Sequence, residues 1–367
     1  MTLASSPSAS ISSSGIRSTT PRSSTPSGFG PLLARVKDAG LLRRSQIFYL
    51  SLLTTLVLAL GGAIAGFVLL GDSWFQLLIA GALGVIFTQF AFLGHEASHR
   101  QVFTSGKAND RLGRALASGV VGLSYSWWMN KHTRHHGNPN VIGKDPDLDV
   151  DTVSFVDTDA AEARGLRALI TRHQAKLFFP LLAFEGVNLH VKSFGHAFGR
   201  GKVDNRKLEI ILLVARMAIV VSAVFLVLPL GMAFAFLGVQ LAVFGAYMGL
   251  SFAPNHIGMT MFSLDAKPDF LRKQVLSSRN IRGGLPMTFL MGGLNHQVEH
   301  HLFPSMARPQ LAKARRMVRE ACAREGIAYT ETTLAEAYRV VLRYMNTVGR
   351  SAPRVFECPI VLDYGRL

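Results

Sequence analysis

The sequence has few cysteines, few charged residues and no internal repeat, and each shortage excludes a class of protein. Two cysteines, Cys322 and Cys358, are too few for a disulfide scaffold, and nothing in their placement indicates an oxidising compartment. Charged residues make up only 17% of the 367 residues, which is too low a share for a disordered chain. No repeat of solenoid period is visible.

Acidic residues are scarcer than basic ones. The chain has 39 Lys and Arg against 23 Asp and Glu, a formal net charge of +16. Such an excess suits an acidic protein partner or anionic lipid headgroups. We expect no nucleic-acid partner.

The apolar residues are concentrated in a few stretches. Hydrophobic residues make up 49% of the chain, and Arg216 is the single charge within four stretches at residues 47–70, 75–94, 210–229 and 232–253. A helix of about 20 apolar residues crosses the hydrocarbon core of a bilayer. The sequence therefore predicts an all-α integral membrane protein with four transmembrane helices in two hairpins.

The basic residues next to these stretches predict the orientation. Arg35, Lys37, Arg43 and Arg44 precede the first stretch, whereas residues 71–74 and 230–231 contain no Lys or Arg. By the positive-inside rule, both termini and the loop of residues 100–209 face the cytoplasm. We predict a multi-pass protein of a bacterial plasma membrane, with a cytosolic helical cap.

The remaining segments differ in composition. Residues 1–30 are rich in Ser, Thr and Pro and predict a disordered tail, with an organelle-targeting segment as the alternative, whereas residues 31–367 predict one membrane domain. Residues 112–128 predict one interfacial or re-entrant helix. Residues 309–324 predict an amphipathic helix with Leu311, Ala314, Val318 and Cys322 on its apolar face.

Nine of the twelve histidines fall in four places next to the predicted spans. They form His-Glu-Ala-Ser-His (His95, His99), His-Thr-Arg-His-His (His132, His135, His136), a single His256, and His-Gln-Val-Glu-His-His (His296, His300, His301). Helical spacings of three and four place such residues on one face. Two hairpins would bring all nine to one side of the membrane. His173, His190 and His196 lie outside these groups and receive no role.

Nine imidazoles exceed the four to six ligands of one metal ion, so the pattern indicates two metal ions at one site. Neutral imidazole suits iron, copper, zinc and nickel. The predicted site lies in the cytosolic cap.

Two other functions fit parts of the pattern. His95-Glu96-Ala97-Ser98-His99 also matches the His-Glu-x-x-His motif of zinc proteases. That hypothesis predicts that Glu96→Gln abolishes peptide cleavage and that zinc copurifies, but it leaves seven histidines unexplained. A metal transporter needs more polar residues within the spans than this chain has.

The third histidine group closely resembles a known motif. Residues 293–304, Gly-Leu-Asn-His-Gln-Val-Glu-His-His-Leu-Phe-Pro, resemble the third box of front-end and related acyl desaturases in the integral-membrane fatty acid desaturase superfamily. Trp127 and Trp128 before the second box, and Asp145, Asp147 and Asp149 after it, also resemble that family. The resemblance covers residues 46–367.

The resemblance implies a fatty acyl desaturase that uses two iron ions, O2 and two electrons. The ligands it implies are His95, His99, His132, His135, His136, His256, His300 and His301, and either Gln297 or His296 completes the third box, with Gln297 slightly favoured. Asn255 would hold a water at one iron. Glu96 and Glu299 would accept imidazole N–H groups, with exposed salt bridges as the alternative.

The resemblance also bears on partners. No His-Pro-Gly-Gly haem motif occurs in this chain, so we expect electrons from a separate ferredoxin-like protein and its reductase. The acyl chain, carried by CoA, acyl carrier protein or a lipid, would enter an apolar tunnel among the helices. A hydroxylase or a carotenoid oxygenase has the same boxes and is the alternative function.

Overall fold

The computed structural model describes residues 28–149 and 151–353, and this part of the chain is predominantly helical. Its α-helices are α1 (Phe29–Asp38), α2 (Gln46–Leu70), α3 (Gln76–Ser98), α4 (Gly106–Arg114), α5 (Tyr125–Gly137), α6 (Asp157–Ala161), α7 (Gly165–Arg172), α8 (Gln174–Phe198), α9 (Arg206–Val227), α10 (Leu230–His256), α11 (Phe270–Leu276), α12 (Gly284–Leu290), α13 (Gln297–Leu302), α14 (Arg308–Arg324) and α15 (Leu334–Arg350). A π-helical segment (Ala115–Val121) and a 3-10 turn (Leu294–His296) complete the helical elements of these ranges. Two short strands, β1 (Asn280–Ile281) and β2 (Glu331–Thr332), pair in parallel.

Parts of two predictions lie outside the described residues. Residues 1–27 hold most of the predicted Ser/Thr/Pro-rich tail, and residues 354–367 include Cys358. The other cysteine, Cys322, is a buried free thiol in α14.

Four helices, α2, α3, α9 and α10, are long and apolar enough to cross a membrane, which confirms the predicted number and places of the apolar helices. Two of them continue beyond the predicted stretches: α3 runs past residue 94 to Ser98, and α10 runs past residue 253 to His256. The extra turn of α3 carries His95 and ends next to His99, its C-terminal cap, and the extra turn of α10 carries His256. His95 and His256 therefore lie on helical continuations of the apolar stretches.

Helices α3 and α10 form the centre of the helical assembly. Phe90 and Leu93 of α3 pack in one buried cluster with Phe244 and Met248 of α10. On the other side, α8 crosses α10 at Gly186 and Gly245, where a Cβ on either glycine would overlap the backbone of the partner helix. Glycine at both positions thus permits direct backbone contact.

The prediction of one helix over residues 112–128 is wrong, because the chain breaks there. After the π-helical segment, Gly122 adopts a left-handed conformation (φ +93°), and the Ser124 hydroxyl caps α5 by accepting from the Trp127 N–H at 3.0 Å. The buried Glu209 carboxylate at the start of α9 also accepts from the Ser126 N–H at 3.1 Å. A carboxylate at a helix N-terminus is favourable, so α9 positions the start of the helix that carries the second box.

Helix α14 confirms the predicted amphipathic pattern, since Leu311, Ala314, Val318 and Cys322 are all buried. These residues share a buried cluster with α1 and with Val298 of α13. The helix that carries the third box is therefore held against α14.

Candidate metal centre

The eight histidines that the resemblance implies as ligands lie together in the structure. They come from four helices: α3 and its C-terminal cap, α5, the last residue of α10, and α13. Because the four helices meet at these ends, residues that are up to 206 positions apart (His95 and His301) become neighbours. The potential ligand atoms form two adjoining groups.

The first group contains five imidazoles whose ligand nitrogens all lie within 4.8 Å of one another: His95, His99, His132, His136 and His300. The Nε2 atom of His132 lies 3.0 Å from Nε2 of His95 and 2.7 Å from Nε2 of His99. Nitrogens bound to one metal ion at about 2.0–2.1 Å approach each other at similar distances. This geometry suits a shared cation.

The second group contains His135, His256 and His301, whose ligand nitrogens also lie within 4.8 Å of one another. Gln297 Nε2 lies 2.9 Å from His256 Nε2, and Asn255 Nδ2 donates to Gln297 Oε1 at 3.2 Å. The two groups touch where the rings of His136 and His301 stack, with centroids 4.3 Å apart. The arrangement thus offers room for two neighbouring cations.

Several buried ring nitrogens have no hydrogen-bond partner among the described residues. They include both ring nitrogens of His136 and the Nε2 atoms of His300 and His301. Buried polar atoms are nearly always satisfied, so several unsatisfied nitrogens at one place need an explanation. Metal ions bound by these imidazole nitrogens would explain why they have no hydrogen-bond partner. Iron is among the metals that imidazole ligands suit.

Three ring nitrogens that face away from the groups are fixed by hydrogen bonds. His135 Nδ1 donates to both carboxylate oxygens of Asp145 at 3.0 Å. His301 Nδ1 donates to Gln274 Oε1 at 2.9 Å. His256 Nδ1 donates to the Ser277 carbonyl at 2.9 Å. Each bond places the proton on Nδ1 and leaves Nε2 unprotonated, the form in which it can bind a metal ion. No sequence pattern indicated Gln274 or Ser277, because neither lies in a histidine box.

Burial controls the protonation of the site outside the spans. It lowers the pKa of His99 to about 3 and, together with neighbouring imidazoles, holds the pKa values of His132, His136, His300 and His301 well below their usual range. For His135, burial acts to lower the pKa, but the carboxylates of Asp147 and Asp145 outweigh it and raise the pKa. Five neutral imidazoles are thus ready to bind metal at neutral pH.

The carboxylates of the first and third boxes, Glu96 and Glu299, form hydrogen bonds with side chains from outside the boxes. Glu96 accepts two bonds from the Arg308 guanidinium, at 2.7 and 2.6 Å. Glu299 accepts from Asn280 Nδ2 at 2.7 Å and from the Tyr329 hydroxyl at 2.8 Å, and burial raises the pKa of Glu299 to about 7. Both carboxylates are buried, so the exposed salt bridge considered as an alternative is wrong for each. Their hydrogen bonds within the described residues go to groups other than imidazoles.

The remaining histidines are separate from both groups. His296 is buried, and this burial, with the nearby charge of Arg315, lowers the pKa of His296 to about 4. His190 donates from Nδ1 to the Gly186 carbonyl at 2.7 Å. In the third box, Gln297 is the residue whose side chain contacts His256.

An apolar cavity reaches the first group at His95. Residues of α3, the π-helical segment, α5 and α10 line it, among them Phe92, Val121, Trp128, Met248 and Phe252. The Trp128 ring also stacks on His132, with ring centroids 4.5 Å apart. Apolar side chains therefore surround the space next to His95.

Comparisons with known proteins agree on one family. A family model described as "Fatty acid desaturase" matches residues 72–333. An "Acyl-lipid (9-3)-desaturase" of Physcomitrium patens is 28% identical over 323 residues, which cover 85% of this chain and 61% of that protein. A "Delta(8)-fatty-acid desaturase" of Helianthus annuus is 26% identical (80% and 67% covered), and a "Delta(6)-fatty-acid desaturase fat-3" of Caenorhabditis elegans is 25% identical (88% and 74% covered). The chain thus spans about three fifths of the length of the Physcomitrium relative.

Proposed function

Because the chain belongs to the fatty acid desaturase family, we propose that it inserts a cis double bond into a fatty acyl chain at a centre of two iron ions, with O2 and two electrons. The observation that carries this proposal is the convergence of eight histidines into two adjoining groups at the end of an apolar cavity. A site of this kind joins metal-binding donors to a compartment for an apolar substrate.

The residues fit iron in two positions. His95, His99, His132, His136 and His300 would hold one ion, and His135, His256 and His301 the other, with Gln297 beside it and Asn255 holding a water. Bound iron supplies the O2-dependent removal of hydrogen from an unactivated methylene group, which is beyond any acid or base side chain. Asp145, Gln274 and Ser277 keep the imidazoles in the tautomer that binds metal.

The protein side chains position the substrate. Phe92, Phe252 and Met248 give the cavity an apolar wall, so an acyl chain is bound by burial of its methylene groups at about 0.8 kcal/mol each. Trp128 stacks on His132 and lines the same cavity, so it both orients a ligand and excludes water. The reacting carbons would lie next to His95, where the cavity meets the first group.

The topology that supports this function is two membrane hairpins, α2–α3 and α9–α10, with the histidine-bearing ends on the cytoplasmic side. The connections 71–75 and 228–229 contain no Lys or Arg, whereas Arg35, Lys37, Arg43 and Arg44 precede α2. We propose a cytosolic cap that carries the metal site and cytoplasmic termini. A bacterial plasma membrane remains our proposal for location, although the relatives named above are eukaryotic.

The proposed partners follow from the basic surface of α14 and from the proposed desaturation reaction. Lys313, Arg316 and Arg319 of α14 are exposed, and they suit an acidic ferredoxin-like donor that delivers electrons from a reductase. The substrate is a fatty acyl group linked to a carrier or to a lipid. The position of Glu96 argues against a zinc protease, because its carboxylate is bonded to Arg308 and is not free to act as a general base.

The proposed function is tested by expression in a host whose fatty acids are known. We expect membranes containing the chain to gain an unsaturated fatty acid with one new cis double bond, located by mass spectrometry, and the purified protein to hold two iron ions. A hydroxylated fatty acid or an oxidised carotenoid would instead support the alternative function. Zinc in place of iron, with no lipid product, would contradict the proposal.

Asp145→Asn is expected to weaken metal binding about 10- to 100-fold, since the neutral amide no longer holds His135 as the carboxylate does. Iron content after dialysis against graded chelator measures the change. Asp149→Asn is the matched control, because Asp149 lies in the same acidic loop but is exposed. Equal iron retention in the two variants would show that Asp145 does not support the site.

A further inference from the structure

Helix α12 has no buried residue, although most of its side chains are apolar. Leu285 is 83% exposed, Phe289 60% and Leu290 45%. The next residues of the chain, which lead into the third box, are all buried. Exposed apolar patches mark contacts with a membrane or another protein, so α12 has an apolar surface that needs a partner.

The place of α12 along the apolar helices α3 and α10 indicates what covers its exposed surface. The Phe289 carbonyl accepts from Gln89 Nε2 at 3.3 Å, and the Leu290 carbonyl accepts from the Tyr247 hydroxyl at 2.7 Å. Gln89 precedes the last residue of α3 by nine positions, and Tyr247 precedes the last residue of α10 by nine. At 1.5 Å per residue, these contacts lie about 13 Å along two apolar helices from their histidine-bearing ends.

The exposed surface of α12 continues the outer surface of α3. Val85 lies one helical turn before Gln89 on the same face of α3 and is 43% exposed within an apolar span. Phe289 lies at the next turn of α3, because its carbonyl accepts from Gln89 Nε2. Hydrocarbon that covers Val85 would therefore also cover the end of α12.

Glycine pairs allow the chain to descend to this depth and return. Gly283 precedes α12 and Gly284 is its first residue, Gly292 and Gly293 follow the helix, and all four have positive φ angles (151°, 62°, 57° and 86°). A Cβ at Gly292 would overlap the Phe92 ring, so α12 is closely packed at its C-terminal end. This is the geometry of a short re-entrant segment supported by neighbouring helices.

The same aromatic residues join α12 to the cavity. Phe92 and Phe252 line the cavity at His95, and they also pack in one apolar cluster with Met291, which follows α12, and with Met287 of α12. Apolar side chains therefore extend without interruption from the outer surface of the helix bundle to the cavity.

We propose that α12 is embedded in the hydrocarbon region of the bilayer and forms a lateral entrance through which the acyl chain of a membrane lipid passes, beside Phe92 and Phe252, to the cavity at His95. The substrate class is then a lipid-linked acyl chain taken from the bilayer. This route rests on the proposed function, whereas the membrane contact of α12 does not.

The membrane contact is tested by fluorescence quenching in vesicles. In a full-length background with Cys322→Ala and Cys358→Ala, an environment-sensitive dye is attached at Leu285→Cys or Phe289→Cys. We expect quenching by nitroxide-labelled phospholipids, as for Val85→Cys, and protection from iodide, unlike Arg316→Cys on exposed α14. Iodide quenching at 285 and 289 equal to that at 316 would overturn the proposal.

The entrance is tested by two single lysine substitutions, one on α12 and one on the exposed side of α3. Phe289→Lys is expected to lower desaturation of bilayer phospholipid about tenfold, while Val85→Lys stays within about twofold of the unmodified chain, because only the former charge lies in the route. Iron content verifies folding, and Leu285→Lys replaces Phe289→Lys if the latter loses iron. Equal effects at 85 and at the α12 position would overturn the entrance.

The two proposals fail in distinguishable ways. If the unmodified chain produces no oxidised lipid, the proposed function is wrong, and the quenching result still reports where α12 lies. If the unmodified chain desaturates a water-soluble acyl thioester but no phospholipid, the function stands and the lateral entrance is wrong.

Discussion

His300→Ala is expected to abolish the proposed desaturation and to lower the iron content of the protein. The His300 ring packs against three others of the first group, with its centroid 4.8 Å from those of His95, His99 and His136. Its Nε2 atom is buried without a hydrogen-bond partner. Replacing even a residue that supports a ligand costs about 10- to 100-fold in metal affinity, so loss of a ligand at this position should cost more.

The measurement combines iron content with fatty-acid profiling at matched protein levels. We expect product below detection and less than two iron ions per chain for His300→Ala, and the same for His135→Ala in the second group. His173→Ala is the matched control, because His173 is exposed and lies outside both groups. Retained desaturation in either cluster variant would refute the di-iron assignment.

The sequence was sufficient to predict the parts of the site that depend on local spacing. His132, His135 and His136 lie within one helix, so their common face follows from helical geometry alone. The four apolar helices were equally predictable, because the length of an apolar run is a local property. The resemblance to the family rested most on a third local pattern, the motif of residues 293–304.

Features that depend on distant contacts were not predictable. The start of α5 contacts Glu209, whose carboxylate accepts from the Ser126 N–H 83 residues away. The partners of the box carboxylates are equally remote, since Glu96 and Arg308 lie 212 residues apart. Sequence spacing shows only that Glu96 lies next to a histidine. The fold shows that the cation paired with its carboxylate is Arg308.

That ion pair is the basis for the second large prediction. Arg308→Met is expected to destabilise the protein by ~3–5 kcal/mol, because it leaves the Glu96 carboxylate buried without its partner. The two side chains are 4% and 3% exposed, and the guanidinium contacts both carboxylate oxygens. The exposed pair Arg316–Glu320 is the internal control, so Arg316→Met should change stability by less than about 1 kcal/mol.

The pair also joins the first box to the start of α14, which supports the third box, so the effect should reach the metal site. Glu96→Gln should destabilise the protein similarly by leaving Arg308 unpaired, whereas the double variant Glu96→Gln/Arg308→Met should lose less than the sum of the two single losses. Unfolding temperature in lipid nanodiscs and iron content measure both consequences. Additive losses would mean that the two residues act independently, and unchanged iron content in a destabilised Arg308→Met would mean that the pair stabilises the fold without organising the histidines.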